Sequence, residues 1–279
     1  MASVATLPPG RAGGAAISED RARRYAQHVA PTFVTLARRV VDLAEIEPGH
    51  SVLDLCAGTG IAAFLAAERA GREGSVIGLE PDAALLAVAR ERAAAVGYEH
   101  IRWQEGEAAP LTYADESFDA VLCMHGLMRE PRLDAVLEEA KRVLVEGGRL
   151  VLTVWGPRAA NEWMSVLEDA LRRNAPAPLP GSLALTQPGN LEALLQASGF
   201  EEIETARVPD RMRLLGTDGL WEWARASDRW GAAIDALPDE RRARVRAALD
   251  AAFAARVRDG ELALEREIVY ARAVAPASL

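Results

Sequence analysis

Short apolar runs alternate with helical patterns from Val52 to Trp155, and this alternation limits the fold more than any other feature. In the first cycle, an apolar run at Val52–Leu55 is bounded by turn residues, as buried parallel strands are, and a helical pattern at Ile61–Ala70 stops at Gly71. The other strands and helices predicted in this region are Ser75–Leu79, Asp82–Val96, Ile101–Gln104, Ala120–Met124, Leu133–Leu144 and Arg149–Trp155. Strands and helices that alternate across short loops predict an α/β domain with a doubly wound, mostly parallel sheet.

The segments on either side complete the predicted organisation. Residues 1–18 are expected to be a disordered leader, and residues 19–47 an N-terminal helical lid, because apolar residues recur there at three- and four-residue steps. Pro31 interrupts that pattern and predicts two helices or one kinked helix. The main domain is expected at 48–279, with a helical insert at about 218–255. Strands at Glu202–Val208 and Leu262–Ala273 bring the predicted sheet to seven strands.

Composition narrows the classes of function. The chain has 279 residues, of which 50% are apolar, and its formal net charge of -9 gives no bulk attraction for nucleic acid or an anionic membrane. Cys56 and Cys123 lack metal-ligand spacing and do not indicate an extracellular disulfide framework. The N-terminal sequence lacks the pattern of a signal peptide, and no apolar run approaches the roughly 20 residues of a membrane helix. We therefore expect a soluble cytoplasmic protein without a metal site, nucleic-acid partner or membrane insertion.

The residues that indicate function follow the predicted strands, at the edge where open parallel sheets bind ligands. Gly58 and Gly60 follow the first strand and let the backbone approach a ligand closely. Glu80 ends the second strand, where an acidic residue accepts hydrogen bonds from both ribose hydroxyls of a nucleoside. Glu107 follows the third strand and is placed to accept from an adenine amine. Asp54 lies under the glycine loop, where a carboxylate accepts backbone N–H bonds or attracts a ligand cation.

The glycine loop fits two classes of ligand. Gly58–Ala63 satisfies the GxGxxA pattern of nicotinamide dinucleotide sites. A dinucleotide diphosphate needs an electropositive loop, whereas Asp54, Glu80 and Glu107 bring three carboxylates to this edge. Three carboxylates suit a cationic nucleoside without phosphate. S-adenosylmethionine, which combines a sulfonium, an amino acid and an adenosine, is such a ligand.

Four stretches of the sequence carry a resemblance to a known family: VLDLCAGTG, VIGLEPDAALLAVAR, EGEAAPLTYADESFDAVLCMHGL and RVLVEGGRLVLTVWGP. In this order and spacing they resemble the class I S-adenosylmethionine-dependent methyltransferases, and among them the small-molecule group of the ubiquinone/menaquinone C-methyltransferases. The resemblance covers Tyr25 to Pro157 well and the C-terminal part loosely. It implies a Rossmann-like methyltransferase fold and S-adenosyl-L-methionine as cofactor. It also implies methyl transfer to an O, N or C nucleophile of a small molecule, in secondary metabolism or quinone-type chemistry.

The resemblance also implies which residues bind the cofactor. They are Tyr25, Asp54, Cys56, Ala57, Gly58, Gly60, Glu80, Pro81, Glu107, Ala108 and Met124. Cys56 stands where the family usually has its first glycine, so the loop departs from the pattern by one side chain. Relatives often continue with aromatic residues after the position of His125, whereas this chain continues with GLMREP, which predicts a different acceptor pocket.

His125 is the catalytic candidate, because it follows the fourth strand, where a histidine with a near-neutral pKa acts as a general base. The alternative is a wall residue hydrogen-bonded to the backbone, since alignment and a desolvated site supply much of the rate of methyl transfer. Trp221, Trp223 and Trp230 are predicted either to line a pocket for a flat or lipophilic acceptor or to form a small separate core.

The sequence leaves two other functions open. The same fold and cofactor serve a non-methylating, cyclase-like reaction in some relatives, and a non-enzymatic nucleotide-binding protein is the other alternative. Three carboxylates at one edge argue against the second, because a protein without the ligand does not need them. We expect a small aromatic or lipophilic acceptor, and a protein that is a monomer or a homodimer.

Overall fold

The computed structural model describes residues 17–98, 100–130, 132–174, 185, 187 and 189–277. Nearly all of the predicted leader lies outside these residues. No helix within the described part of the chain is long and apolar enough to cross a membrane.

A seven-stranded sheet forms the centre of the molecule, with strand order β3-β2-β1-β4-β5-β7-β6. The strands are Ser51–Leu55 (β1), Ser75–Glu80 (β2), Arg102–Glu105 (β3), Phe118–Met124 (β4), Leu144–Trp155 (β5), Glu201–Leu215 (β6) and Glu261–Val274 (β7). β1 to β5 run parallel, and β7 is inserted antiparallel between β5 and β6. The predicted doubly wound, mostly parallel sheet of seven strands is therefore confirmed.

Helices flank the sheet, and their ends follow local signals in the sequence. They are Glu19–Arg24 (α1), Val34–Leu43 (α2), Ile61–Ala70 (α3), Ala83–Val96 (α4), Leu133–Val143 (α5), Glu162–Asn174 (α6), Asn190–Ala197 (α7), Gly216–Ala226 (α8), Gly231–Asp235 (α9) and Asp239–Phe253 (α10). α4 shows both signals. The Asp82 carboxylate accepts from the N–H groups of Ala84 and Leu85 at its start, and Gly97 ends it in the left-handed region at φ 78°.

The N-terminal segment is helical, and its helical type changes around Pro31, where the sequence predicts two helices or one kinked helix. Between α1 and α2 the chain passes through a π-helical turn at Tyr25–Val29 and a 3-10 turn at Ala30–Phe33. Several contacts hold the segment to the rest of the protein. Among them, the Ile17 N–H donates to the Asp82 carboxylate at 2.7 Å, and the Trp223 indole N–H donates to the Thr32 hydroxyl at 3.1 Å. Irregular helical turns of this kind often mark functional hinges.

β6 and β7 extend beyond the bounds predicted from the sequence. β7 pairs with β5 as far as the Trp155–Ile268 pair and then continues with β6 alone, past the carboxyl edge of the parallel strands, to the Leu215–Glu261 pair. The predicted end of β6 at Val208 is wrong. Pro209 follows that residue, but β6 is an edge strand, where a residue without an N–H is tolerated. This extended part of the β6–β7 pair forms a second wall of the site, beside the carboxyl edge of the parallel strands.

The helical insert packs onto this wall through tryptophans. Trp223 and Trp230 are each 1% exposed, and both pack against Trp163 of α6, with ring centroids 4.9 Å and 5.6 Å away. Trp221 lies apart from them, under the Arg246 guanidinium at 5.8 Å. The three tryptophans, which the sequence predicts to line a pocket or to form a separate core, therefore belong to the main core.

Candidate functional site

The loop after β1 is held in the left-handed backbone region at three positions. The φ angles are 57° at Cys56, 57° at Gly58 and 89° at Gly60. A Cβ at Gly60 would lie 2.4 Å from the Trp103 ring, so glycine is required there. A Cβ at Gly58 would meet nothing within 4 Å, which leaves that stretch of backbone open to the site.

Cys56 stands where the family usually has glycine. Its positive φ strains the backbone, but its side chain has space. A non-glycine residue at positive φ is strained by about 1–2 kcal/mol. Its side chain packs against Gly126, where an added Cβ would lie 2.6 Å from the Cys56 Cβ and 2.8 Å from the Cys123 sulfur. The thiol at position 56 therefore fits because residue 126, directly after His125, has no side chain.

Glu80 ties this loop to the end of β2. Its side chain is buried, and its two oxygens accept from the backbone N–H of Gly58 at 2.9 Å and of Asp82 at 3.0 Å. Carboxylate oxygens have further lone pairs beyond these two bonds. Glu80 is thus fixed at the edge of the sheet by the loop that it supports.

Asp54 is also buried, beneath the loop and at the start of α3. It is 1% exposed and accepts from the Ala63 N–H at 3.0 Å. Burial raises the pKa of this carboxyl group to about 8, and the nearby charge of Glu80 adds to the rise. The Asp54 side chain therefore supports the loop. A cation bound beside it would stabilise the ionised carboxylate in place of water.

Replacing Asp54 with Asn should change how stability depends on pH. The raised pKa means that the folded protein keeps a proton that the unfolded chain, with a pKa near 3.9, has lost. The free energy of unfolding should therefore fall by about 1.4 kcal/mol per pH unit as the pH rises from about 4 to 8. Asn cannot ionise and its oxygen still accepts from Ala63, so Asp54→Asn should lack this decline in urea unfolding at pH 5 and 8.

The matched control for this test is Asp42→Asn, because the Asp42 side chain is 57% exposed and pairs with Arg69 at the surface. This variant should keep the pH dependence of the original protein. Equal slopes in the Asp54 variant and the original protein would contradict a raised pKa at Asp54.

A cavity of about 30 Å³ lies between the glycine loop and the N-terminal segment. Its lining consists of Tyr25, Ala30, Phe33, Asp54, Cys56, Ala57, Gly58, Thr59, Ile61, Ala62 and Met124. None of these side chains is basic, so the site does not favour a diphosphate. A lining with one carboxyl group, no basic side chain and an open glycine backbone is compatible with the sulfonium and amino-acid end of S-adenosylmethionine.

The structure brings six of the predicted cofactor residues together at this cavity, namely Tyr25, Asp54, Cys56, Ala57, Gly58 and Met124. Gly60 belongs to the same loop, and Glu80 accepts a hydrogen bond from its Gly58 N–H. Pro81, Glu107 and Ala108 do not line the cavity: the Glu107 side chain is exposed and Ala108 is buried in the core. Their assignment to the cofactor stays a prediction.

His125 occupies an unusual position. Its backbone has φ 61°, its ring stacks on Trp155 at 4.6 Å with an interplanar angle of 11°, and neither ring nitrogen has a hydrogen-bond partner among the described residues. Burial and the charge of Arg266 lower the pKa of this imidazole to about 3. The ring is therefore neutral at pH 7 in this arrangement, whereas the sequence predicts a near-neutral pKa; the catalytic role of His125 stays a prediction.

Sequence reasoning missed several residues of the site. Thr59 is buried and its hydroxyl and carbonyl accept from the Arg92 guanidinium, while Phe33 separates the cavity from the ring of His125 at 5.3 Å. In the sequence, Phe33 is one of the apolar residues that recur at three- and four-residue steps in residues 19–47. An aromatic residue two positions after a proline inside a helical pattern was the available signal, because the break turns that face toward the sheet edge.

Comparison with known proteins agrees with this geometry. Residues 52–148 match a family model described as a methyltransferase domain. The chain is 34% identical over 177 residues to a 2-phytyl-1,4-naphtoquinone methyltransferase of Thermosynechococcus vestitus, covering 59% of this chain and 78% of the relative. The chain belongs to the class I S-adenosylmethionine-dependent methyltransferases, in the group of the ubiquinone/menaquinone C-methyltransferases.

Further matches support the assignment and the fold. A demethylmenaquinone methyltransferase of Thermus thermophilus is 35% identical over 178 residues, covering 58% of this chain and 80% of the relative. The crystal structure of the YcgJ protein from Bacillus subtilis has a TM-score of 0.59 and 19% identity, covering 88% of this chain and all of that one. This methyltransferase therefore uses S-adenosylmethionine to methylate a small molecule.

Proposed function

We propose that this methyltransferase acts on a small, lipophilic and aromatic acceptor that binds between the carboxyl edge of the sheet and the N-terminal segment. The observation that supports it is the apolar wall beside the acidic cavity: Phe33, Met124, His125 and Trp155 meet where the parallel strands end. A flat apolar molecule buries its surface there, next to the cofactor loop. The relatives named above as quinone methyltransferases agree with such an acceptor.

The cofactor supplies an electrophilic methyl group on its sulfonium. We propose that the backbone at Cys56, Ala57 and Gly58 receives its amino-acid end, and that Glu80 accepts the ribose hydroxyls while it remains bonded to the loop. Pro81, Glu107 and Ala108 follow the neighbouring strands β2 and β3 and would face the adenine. Tyr25 covers the cofactor from the N-terminal segment.

Residues 19–47 act as a lid in this proposal. Pockets for small ligands enclose about 300–1,000 Å³, whereas the cavity beneath this segment measures about 30 Å³. The segment must therefore move outward before a nucleoside enters. Its π-helical and 3-10 turns at Tyr25–Phe33 are the places where the helical path is already interrupted.

We assign His125 an orienting role and not that of a base. A ring with a pKa of about 3 is a weak proton acceptor at neutral pH, but its stacking on Trp155 fixes the plane of the ring beside the proposed acceptor. Proximity and orientation supply much of the rate in such a displacement.

The expected monomer or homodimer stays a prediction.

The proposed acceptor class is tested by product analysis. Purified protein is incubated with S-adenosylmethionine and, separately, with 1,4-naphthoquinol, 2-naphthol and ethanolamine, and S-adenosylhomocysteine and methylated product are measured by mass spectrometry. We expect methylation of an aromatic probe and none of ethanolamine. Methylation of ethanolamine alone would overturn the proposal, and so would the absence of methylated product from both aromatic probes in protein that binds the cofactor.

A further inference from the structure

A single charged residue interrupts the inward-facing row of β7. Leu262, Leu264, Ile268 and Tyr270 alternate along the strand with side chains buried against the core, and Arg266 takes the place between them. The Arg266 side chain is 1% exposed. Arginine is almost never fully buried without partners for its donors, so this position calls for an explanation.

Two partners hold the guanidinium on one side. The Nε–H donates to the carboxylate of Asp210, the residue directly opposite on β6, at 2.6 Å. The Nη2 group donates to the Thr32 carbonyl of the lid at 2.5 Å. Burial lowers the pKa of Arg266, and the charge of Asp210 acts in the opposite direction. The Nη1 group, in contrast, is buried and has no partner among the described residues.

Phe33 lies close to both Arg266 and His125. Its ring centroid is 5.4 Å from the Arg266 Cζ, 5.3 Å from the His125 ring and 5.9 Å from the Trp155 ring. His125 also presents two buried nitrogens that have no partner in the described part of the chain. Unsatisfied buried polar atoms are costly and rare, and here they border one aromatic side chain from two directions.

Phe33 also belongs to the lining of the cavity beside Cys56 and Met124. A molecule that replaces the Phe33 ring would therefore contact the cofactor loop on one side and Arg266 on the other. The lid carries both Phe33 and the Thr32 carbonyl, so its outward movement removes the ring and one of the two acceptors of Arg266 Nη2, which keeps its contact with Asp210 at 2.6 Å.

We propose that the volume filled by the Phe33 ring in the closed lid is the acceptor subsite, and that Arg266 binds a negatively charged oxygen of a planar acceptor there. The acceptor ring stacks where Phe33 contacts His125 and Trp155, and its phenolate, enolate or carboxylate oxygen accepts from Arg266 Nη1. Arg266 is a specificity-determining residue that selects aromatic acceptors with an anionic oxygen over neutral ones. This inference rests on the proposed function and adds the charge and polar group of the acceptor to it.

The test compares two probes of the same size, 2-naphthoate and 2-naphthalenemethanol, by calorimetry on protein saturated with S-adenosylhomocysteine. A charged hydrogen bond should make naphthoate bind at least about tenfold more tightly than the alcohol. The double variant D210L/R266M replaces the buried ion pair with apolar side chains, an exchange that buried pairs often tolerate. In this variant the two affinities should lie within about twofold of each other.

The control uses the same exchange on the other face of the hairpin. Arg211 and Glu265 are opposite each other on the same two strands, with side chains 54% and 66% exposed. The variant R211M/E265L should keep the preference for naphthoate. A second variant, Asp210→Asn, leaves Arg266 in place and removes the competing charge, so it should increase the preference and keep the inference testable if D210L/R266M does not fold.

The outcomes separate the inference from the proposal on which it rests. Equal affinity of the two probes in the original protein, or a preference that survives in D210L/R266M, would overturn the role of Arg266 while leaving an aromatic acceptor in place. A preference unchanged by Asp210→Asn would contradict it as well. Failure of both probes to bind to protein that binds S-adenosylhomocysteine would overturn the aromatic acceptor together with its subsite.

Discussion

Replacing Glu80 with Ala should raise the Kd for S-adenosylhomocysteine about 5- to 150-fold, because a buried carboxylate that accepts hydrogen bonds contributes about 1–3 kcal/mol. The variant loses the proposed ribose acceptor. It also leaves the N–H groups of Gly58 and Asp82 without the oxygens to which they donate at 2.9 Å and 3.0 Å. The binding site and the loop that forms it should therefore weaken together.

A second variant separates these two contributions. Glu80→Gln keeps one side-chain oxygen for the backbone but loses the charge and the second acceptor, so its Kd should lie between those of Glu80→Ala and the original protein. Both are measured by calorimetry at a temperature where circular dichroism shows folded protein. The control is Glu105→Ala, since Glu105 is paired in register with Glu80 on the next strand but is exposed. A Kd unchanged in Glu80→Ala would remove Glu80 from the cofactor site.

The strand–helix alternation predicted the parallel half of the sheet because its signals are local. Apolar runs of strand length, helical patterns that stop at Gly71 and Gly97, and the acidic cap at Asp82 are readable in sequence order. The carboxyl-edge rule then placed Asp54, Gly58 and Glu80 on neighbouring elements without any knowledge of the side-chain contacts. Both inferences use information from within a few residues of each position.

The second wall of the site could not be predicted in this way, because it depends on contacts between distant segments. Thr32 is joined to Trp223 and to Arg266, and the low pKa of His125 arises from burial beneath those segments. One signal was present: the run LALEREIVY alternates with period two, and Arg266 occupies an inward position. A charge at an inward position of a strand predicts a buried polar site, but not its partners.

The largest effect on stability is expected from Glu168→Ala, which should lower the free energy of unfolding by about 3–5 kcal/mol, the usual effect of removing one partner from a buried ion pair. Glu168 lies on α6, is 1% exposed, and accepts from Arg229 at 2.8 Å. Arg158 and Arg172 also contact it, at 3.1 Å and 3.2 Å, but both are more exposed than Arg229. Arg229 would be left buried without the carboxylate to which it donates.

The adjacent residue provides a matched control. Asp169 contacts the same two arginines, Arg158 at 2.9 Å and Arg172 at 2.7 Å, but its side chain is 47% exposed. Surface ion pairs contribute at most about 1 kcal/mol, so Asp169→Ala should have a small effect in the same urea unfolding experiment. Similar losses in the two variants would contradict the importance of burial at Glu168.

A rescue experiment distinguishes the unpaired charge from a general loss of packing. Adding Arg229→Met to Glu168→Ala removes the charge left in the core and keeps an apolar side chain against Trp230, over whose ring the guanidinium lies at 5.1 Å. The double variant should therefore be more stable than Glu168→Ala alone. Trp230 packs on Trp163 and Trp223, and Trp223 donates to Thr32 of the N-terminal segment, so the same variants connect the stability of the insert to that segment. If Glu168→Ala loosens that wall, its Kd for S-adenosylhomocysteine should rise in folded protein and return toward the original value in the double variant.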